Sequence, residues 1–150
     1  VVVGAGTARA EGYGSAGLPL VVVSRRGVLP ETLRGAERVV LATTRASGMD
    51  EGEDRWLCGD ETVDLAQVLE RARSAFGPHV LCEGGPSLAA DLAAAGLVDE
   101  LGLTWTPRLV GGHRVDHPRI LDGDGLSLRL TSRHLLEEDG TLLGLWRLTR

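Results

Sequence analysis

The chain has 150 residues, a formal charge of -5 and a hydrophobic share of 43%, enough for one ordinary domain with a buried core. It is too acidic for the basic field that phosphate-backbone binding requires, which sets nucleic acid aside as an expected partner. All 16 basic residues are Arg and none is Lys, which excludes Schiff-base chemistry and a P-loop lysine.

Val1 to Val3 is an apolar β-branched run stopped by Gly4, the character of a strand covered on both faces. Leu20 to Val23 and Val39 to Thr43 repeat it. From Thr44 to Asp60 the apolar pattern stops, and "ASGMDEGED" reads as an exposed polar loop. The segment "DLAQVLERARSAFG" predicts a helix with Asp64 as N-cap, Gln67 three residues on, and Gly77 and Pro78 as the stop. Leu65, Val68, Leu69, Ala72 and Phe76 supply its apolar face.

A strand is predicted over His79 to Cys82, and a second helix after Gly84, Gly85 and Pro86, ending at Gly96. Asp99 to Thr106 has β character, and "RLVGG" reads as a loop or strand end. The tail predicts an antiparallel hairpin about Asp139-Gly140. This order implies an α/β fold, mainly a parallel sheet with an antiparallel edge, in one domain over residues 1–150.

Cys58 and Cys82 form no CxxC, so a reducing cytoplasm is the expected setting. No apolar run approaches the roughly eighteen residues of a membrane span, and no basic-then-apolar leader precedes the first glycines. The chain opens without Met inside a strand of buried character, and an N-terminal portion is expected to precede it.

In α/β sheets ligands bind beyond the carboxyl ends of the strands, and both "GAGT" and "EGGPS" sit at such ends. Gly84 and Gly85 let a phosphate approach the backbone, at the positive end of the following helix. Without a ligand the same stretch is a tight strand-to-helix turn. "GAGT" lacks the third glycine of the dinucleotide fingerprint. Glu83, at a strand end beside the turn, can orient a sugar through its hydroxyls, or else cap the turn.

Together, "VVVGAGTARAEGYG", "VVVSRRGVLP" and "VLCEGGPSLAADLAAAGLVDELGLTWTPRLVGG", with the terminal hairpin, resemble the RibD C-terminal domain family. The resemblance implies a dihydrofolate-reductase-like three-layer sandwich and an NADPH-dependent reductase that converts a ribosylamino side chain of a phosphorylated pyrimidine to a ribitylamino one. It also implies a homodimer. It places Thr7, Glu11 and Ser24 on the cofactor, lays the cofactor phosphates against Gly84, Gly85, Pro86, Ser87 and Leu88, and makes Glu83 the catalytic residue facing the substrate ribose.

Arg25 and Arg26 could meet the 2′-phosphate of NADPH or form a solvated loop, and Arg9 could serve its own loop or a ligand. "EGYGSAGLP" is short and lacks the arginine with which the family binds substrate phosphate. A noncatalytic dinucleotide-binding or assembly remnant, or a paralogous reductase with a pterin-like substrate, are therefore the alternative readings. "HRVDHP", with His113, Asp116 and His117 followed by Asp122 and Asp124, sits among Gly and Pro and reads as a loop with no metal. Trp105 and Trp146 are expected in core or interface packing.

Overall fold

The computed structural model describes residues 1–14, 17–109, 120–123 and 126–149. They group into two compact units, Val1–Ala89 and Ala90–Arg150.

In the first unit β1 (Val2–Gly4), β2 (Leu20–Val23), β3 (Val39–Thr43) and β4 (Arg55–Leu57) form a parallel sheet in that order. Val2 lies opposite Val21, Val21 opposite Val40, and Ala42 opposite Trp56. The apolar runs are uninterrupted because both faces are covered: Val2, Val3, Val21, Val22 and Ala42 are at most 1% exposed. Each such large side chain contributes about 1.5–3 kcal/mol on burial. Val3, Leu20 and Val22 cluster with Leu33 and with Ala5 and Ala8 of α1 (Ala5–Ala10), which follows β1 directly.

Strand β4 lies inside the stretch expected to be a polar loop. It is three residues long, with only Trp56 turned fully inward, so its period is hidden among acidic and glycine neighbours. The tryptophan in the core is thus Trp56, stacked on Phe76 with centroids 6.0 Å apart and covered by the Arg71 guanidinium at 5.1 Å. Trp105 is exposed and Trp146 half-buried.

Helix α2 (Leu65–Phe76) forms as its signals predict: the Gln67 N–H donates to Asp64 Oδ1 at 3.1 Å, and the Gln67 side-chain amide donates to Oδ2 at 2.8 Å. Val68, Leu69 and Ala72 are buried, while Phe76 is largely exposed apart from its stack on Trp56. The strand expected over His79 to Cys82 is reduced to one parallel bridge, Val2 to Cys82. Its partner β1 is only three residues long, which leaves little edge to pair.

Helix α3 (Pro86–Ala94) starts in the first unit and continues into the second. There β5 (Glu100–Trp105), β7 (Thr141–Thr149) and β6 (Arg129–Glu138) form an antiparallel sheet of their own in the order β5-β7-β6. The expected antiparallel hairpin is present as β6 and β7. Asp139 and Gly140, with φ of +50° and +78°, make the expected hairpin turn. No helix among the described residues is long and apolar enough to cross a membrane. His113, Asp116, His117 and Asp124 lie outside the described residues.

Candidate functional site

The two glycine loops meet at one end of the parallel sheet. The Val2 N–H donates to Leu81 O at 2.8 Å, the Glu83 N–H to Val2 O at 3.0 Å, and the Gly4 N–H to Gly84 O at 2.7 Å. The chain from Leu81 to Gly84 thereby runs beside β1, and both loops leave from its carboxyl end. "GAGT" turns at once into α1, which sets the Thr7 side chain directly against the Gly85 backbone.

Gly84 has φ +78°, a conformation that favours glycine, and a side chain there would project into open space. At Gly85 the reason is different. A Cβ would run into the Thr7 hydroxyl, so the bare glycine and the threonine share one small volume. The peptide between the two glycines is cis. Pro86 opens α3, with Ser87 and Leu88 in its first turn, and Leu88 is buried. A helix start beside a glycine turn gathers amide N–H groups and the positive end of the helix dipole.

Glu83 is exposed, and among the described residues the hydrogen bond to its carboxylate comes from the Tyr13 hydroxyl, on Oε2. The alternative in which Glu83 caps its own turn through backbone N–H groups is not the arrangement found among the described residues. Tyr13 had no role in the sequence reading, although it is the one tyrosine in the chain and stands in a glycine-rich loop two residues after Glu11. The hydrogen bond to Glu83, then burial, then the negative charges of Glu83, Glu11 and Cys82 push its phenol up to about 12. Glu11 ends α1, exposed, on the same loop. Burial pushes the Cys82 thiol up, opposed by the Gly84 N–H, which donates to its sulfur at 3.4 Å.

Ser24 follows β2 and is buried. Its N–H donates to Ala42 O at 2.9 Å and its hydroxyl oxygen accepts the Val28 N–H at 3.1 Å, which closes the turn carrying Arg25 and Arg26. Both arginines are exposed and have no ion-pair partner among the described residues, whereas Arg45, after β3, is held by Asp60 at 3.2 Å. Arg9 is exposed on α1. Thr7, Gly84 and Gly85 are thus in one place with Glu83 and Tyr13 beside them. Ser24 and its arginines lie after β2, the strand next to β1.

Residues 1–142 match the family model described as the RibD C-terminal domain. The chain belongs to that family. It is 32% identical over 90 residues to the 2,5-diamino-6-ribosylamino-4(3H)-pyrimidinone 5′-phosphate reductase of Methanothermobacter thermautotrophicus, covering 55% of this chain and 41% of that protein. It is 33% identical over 66 residues to the enzyme of the same name from Archaeoglobus fulgidus, covering 44% and 29%. The matches therefore span less than half the length of these relatives.

Among solved structures, a pyrimidine reductase-like protein from Corynebacterium diphtheriae aligns with TM-score 0.77 and 21% identity over 99% of this chain and 75% of its own. A riboflavin biosynthesis reductase from Saccharomyces cerevisiae aligns with TM-score 0.70 and 18% identity over 99% and 74%. These likenesses give the RibD-family chain the dihydrofolate-reductase-like α/β fold of those reductases.

Proposed function

We propose that this RibD-family chain is an NADPH-dependent reductase that converts the ribosylamino side chain of a phosphorylated aminopyrimidine to a ribitylamino one. The observation that carries this reading is the convergence of Thr7, the Gly84–Gly85 turn and the Glu83 carboxylate at the carboxyl end of one parallel sheet. The substrates named for the archaeal relatives support the choice of pyrimidine.

The residues fit a dinucleotide. The space that a side chain at Gly84 would fill is open, so a pyrophosphate can lie against the turn and the start of α3, along Gly84, Gly85, Pro86, Ser87 and Leu88. Thr7, Glu11 and Ser24 would hold the rest of the cofactor, and Arg25 and Arg26, which have no ion-pair partner among the described residues, would meet a 2′-phosphate, which favours NADPH over NADH. The chemistry that reduced nicotinamide supplies when bound is a hydride for the sugar carbon attached to nitrogen.

Glu83 does two things for that carbon. It accepts hydrogen bonds from the sugar hydroxyls, which fixes the position of the carbon. Its negative charge also favours the cationic character the carbon takes on before it is reduced. The short "EGYGSAGLP" segment lacks the family arginine, so the family's substrate-phosphate anchor is either missing from this chain or supplied from outside that segment.

In this reading the two units form one reductase domain and the chain pairs as a homodimer. Leu136 on β6 and its register partner Leu143 on β7 share one face of the sheet and are 66% and 42% exposed, the kind of apolar surface a second copy would cover. Two free cysteines accord with a cytoplasmic setting.

The test is to mix the protein with NADPH and 2,5-diamino-6-ribosylamino-4(3H)-pyrimidinone 5′-phosphate and follow the reduced-nicotinamide absorbance. Substrate-dependent loss of absorbance is expected. Tight NADPH binding with no turnover of this or related ribosylaminopyrimidine phosphates would favour a noncatalytic dinucleotide-binding role.

A further inference from the structure

We propose that Tyr13 is a positioning residue of this site, whose hydroxyl holds the Glu83 carboxylate in the orientation that meets the sugar of the substrate. The inference rests on the reductase reading above and adds to it a residue outside the glycine motifs.

Tyr13 is fixed from three sides. Its ring packs on the cluster of Val3, Ala5, Ala8, Leu20, Val22 and Leu33. Its N–H donates to Ala8 O at 2.9 Å, and its carbonyl accepts the Thr32 hydroxyl at 2.6 Å. The phenol is therefore a rigid arm rooted in the core with its hydroxyl on Glu83 Oε2.

Glu83 is the opposite case. Its backbone is pinned to Val2, but its side chain is exposed. A free glutamate in that place would spread over many rotamers, and ordering it on substrate binding would cost affinity or rate. The tyrosine orders it beforehand. With Oε2 occupied, Oε1 faces no donor among the described residues and is left to accept from a sugar hydroxyl.

The geometry also explains why a phenol suits the position. A cation there would neutralise the carboxylate, whereas the phenol donates one hydrogen bond and leaves the negative charge in place. The hydrogen bond to Glu83 and burial raise the phenol above its ordinary value, so it stays protonated and remains a donor.

Two measurements on the whole chain test the inference. Because Tyr13 is the one tyrosine, tyrosine labelled with carbon-13 at Cζ gives a single resonance. In the wild type it should show no ionisation up to about pH 10.5, and in Glu83→Gln it should titrate near the ordinary value of about 10. Equal titration in the two proteins would overturn the pairing.

The second measurement is steady-state kinetics of Tyr13→Phe with NADPH and 2,5-diamino-6-ribosylamino-4(3H)-pyrimidinone 5′-phosphate. The expected result is a fall of about tenfold in kcat/KM for the pyrimidine, the size of one hydrogen bond to a charged group, with NADPH Kd unchanged and the variant folded at the assay temperature. Wild-type turnover that Tyr13→Phe leaves intact would overturn the positioning role and spare the reductase reading. A wild type that reduces none of the pyrimidine would overturn both, whatever the resonance shows.

Discussion

The Thr7 hydroxyl occupies the space in which a side chain on Gly85 would begin. Adding one methyl at Gly85 therefore collides with a side chain held by α1, and the turn or the helix must shift. Gly85→Ala should cost about 1–3 kcal/mol of stability, the range for overpacking, and weaken NADPH binding at least tenfold. The clash is with the oxygen, since the Thr7 Cβ stands at an ordinary 3.8 Å. Thr7→Ala combined with Gly85→Ala should then be more stable than Gly85→Ala alone, with a coupling of about 1 kcal/mol in urea unfolding. Additive losses would show that the contact is not shared.

Glu83→Gln removes the charge and keeps the shape. Cofactor binding should survive, because in the proposed reading the dinucleotide is held by Thr7, Glu11, Ser24 and the glycine turn, while kcat should fall by roughly 10²-fold or more, as for loss of one electrostatic stabiliser. Fluorescence titration with NADPH and a turnover assay separate the two. Lost NADPH affinity in a folded protein would place Glu83 on the cofactor instead.

The parts of the fold that rest on local signals were legible in the residues: the Val-rich strands, the Asp64 cap and the Asp139-Gly140 turn each carry their cause within a few positions. The two glycine loops could be assigned to one end of the sheet by a general rule of α/β topology. Strand β4 could not be found, since three residues around Trp56 show no period. The Tyr13–Glu83 bond spans 70 positions, and only the parallel pairing of Leu81–Gly84 with β1 brings the two together. The same holds for Thr7 on Gly85. Spacing within a motif cannot reveal a partner supplied by another loop.

Thr43 ends β3 fully buried, and its hydroxyl has no hydrogen-bond partner among the described residues. Burying an unpaired hydroxyl costs about 1–3 kcal/mol. Thr43→Val keeps the branched shape and should raise the unfolding free energy by about 1 kcal/mol. A destabilised valine variant would mean that the hydroxyl has a partner.

Arg25 and Arg26 extend from the turn that Ser24 closes, exposed and without carboxylate partners among the described residues. If they meet the 2′-phosphate, replacing both by Ala should raise KM for NADPH about tenfold or more and leave KM for NADH within about twofold. Equal changes with the two cofactors would remove the arginines from the phosphate site and leave them as solvated loop residues.

The tyrosine pair also predicts a pH dependence of stability. The Tyr13 phenol is held at about 12 in the folded chain, against an ordinary value of about 10 when unfolded. The folded state therefore binds the proton more tightly. The stability this contributes is complete below pH 10 and is lost as pH rises from about 10 through about 12. Tyr13→Phe has no phenol to titrate and lacks this term at every pH, while Glu11, Cys82 and Glu83 are common to both proteins. The difference in urea-unfolding free energy between wild type and Tyr13→Phe should be constant from about pH 7 to 9 and narrow between about pH 10 and 11. A difference that stays flat or widens there would mean that the phenol is not held by Glu83 in the folded chain.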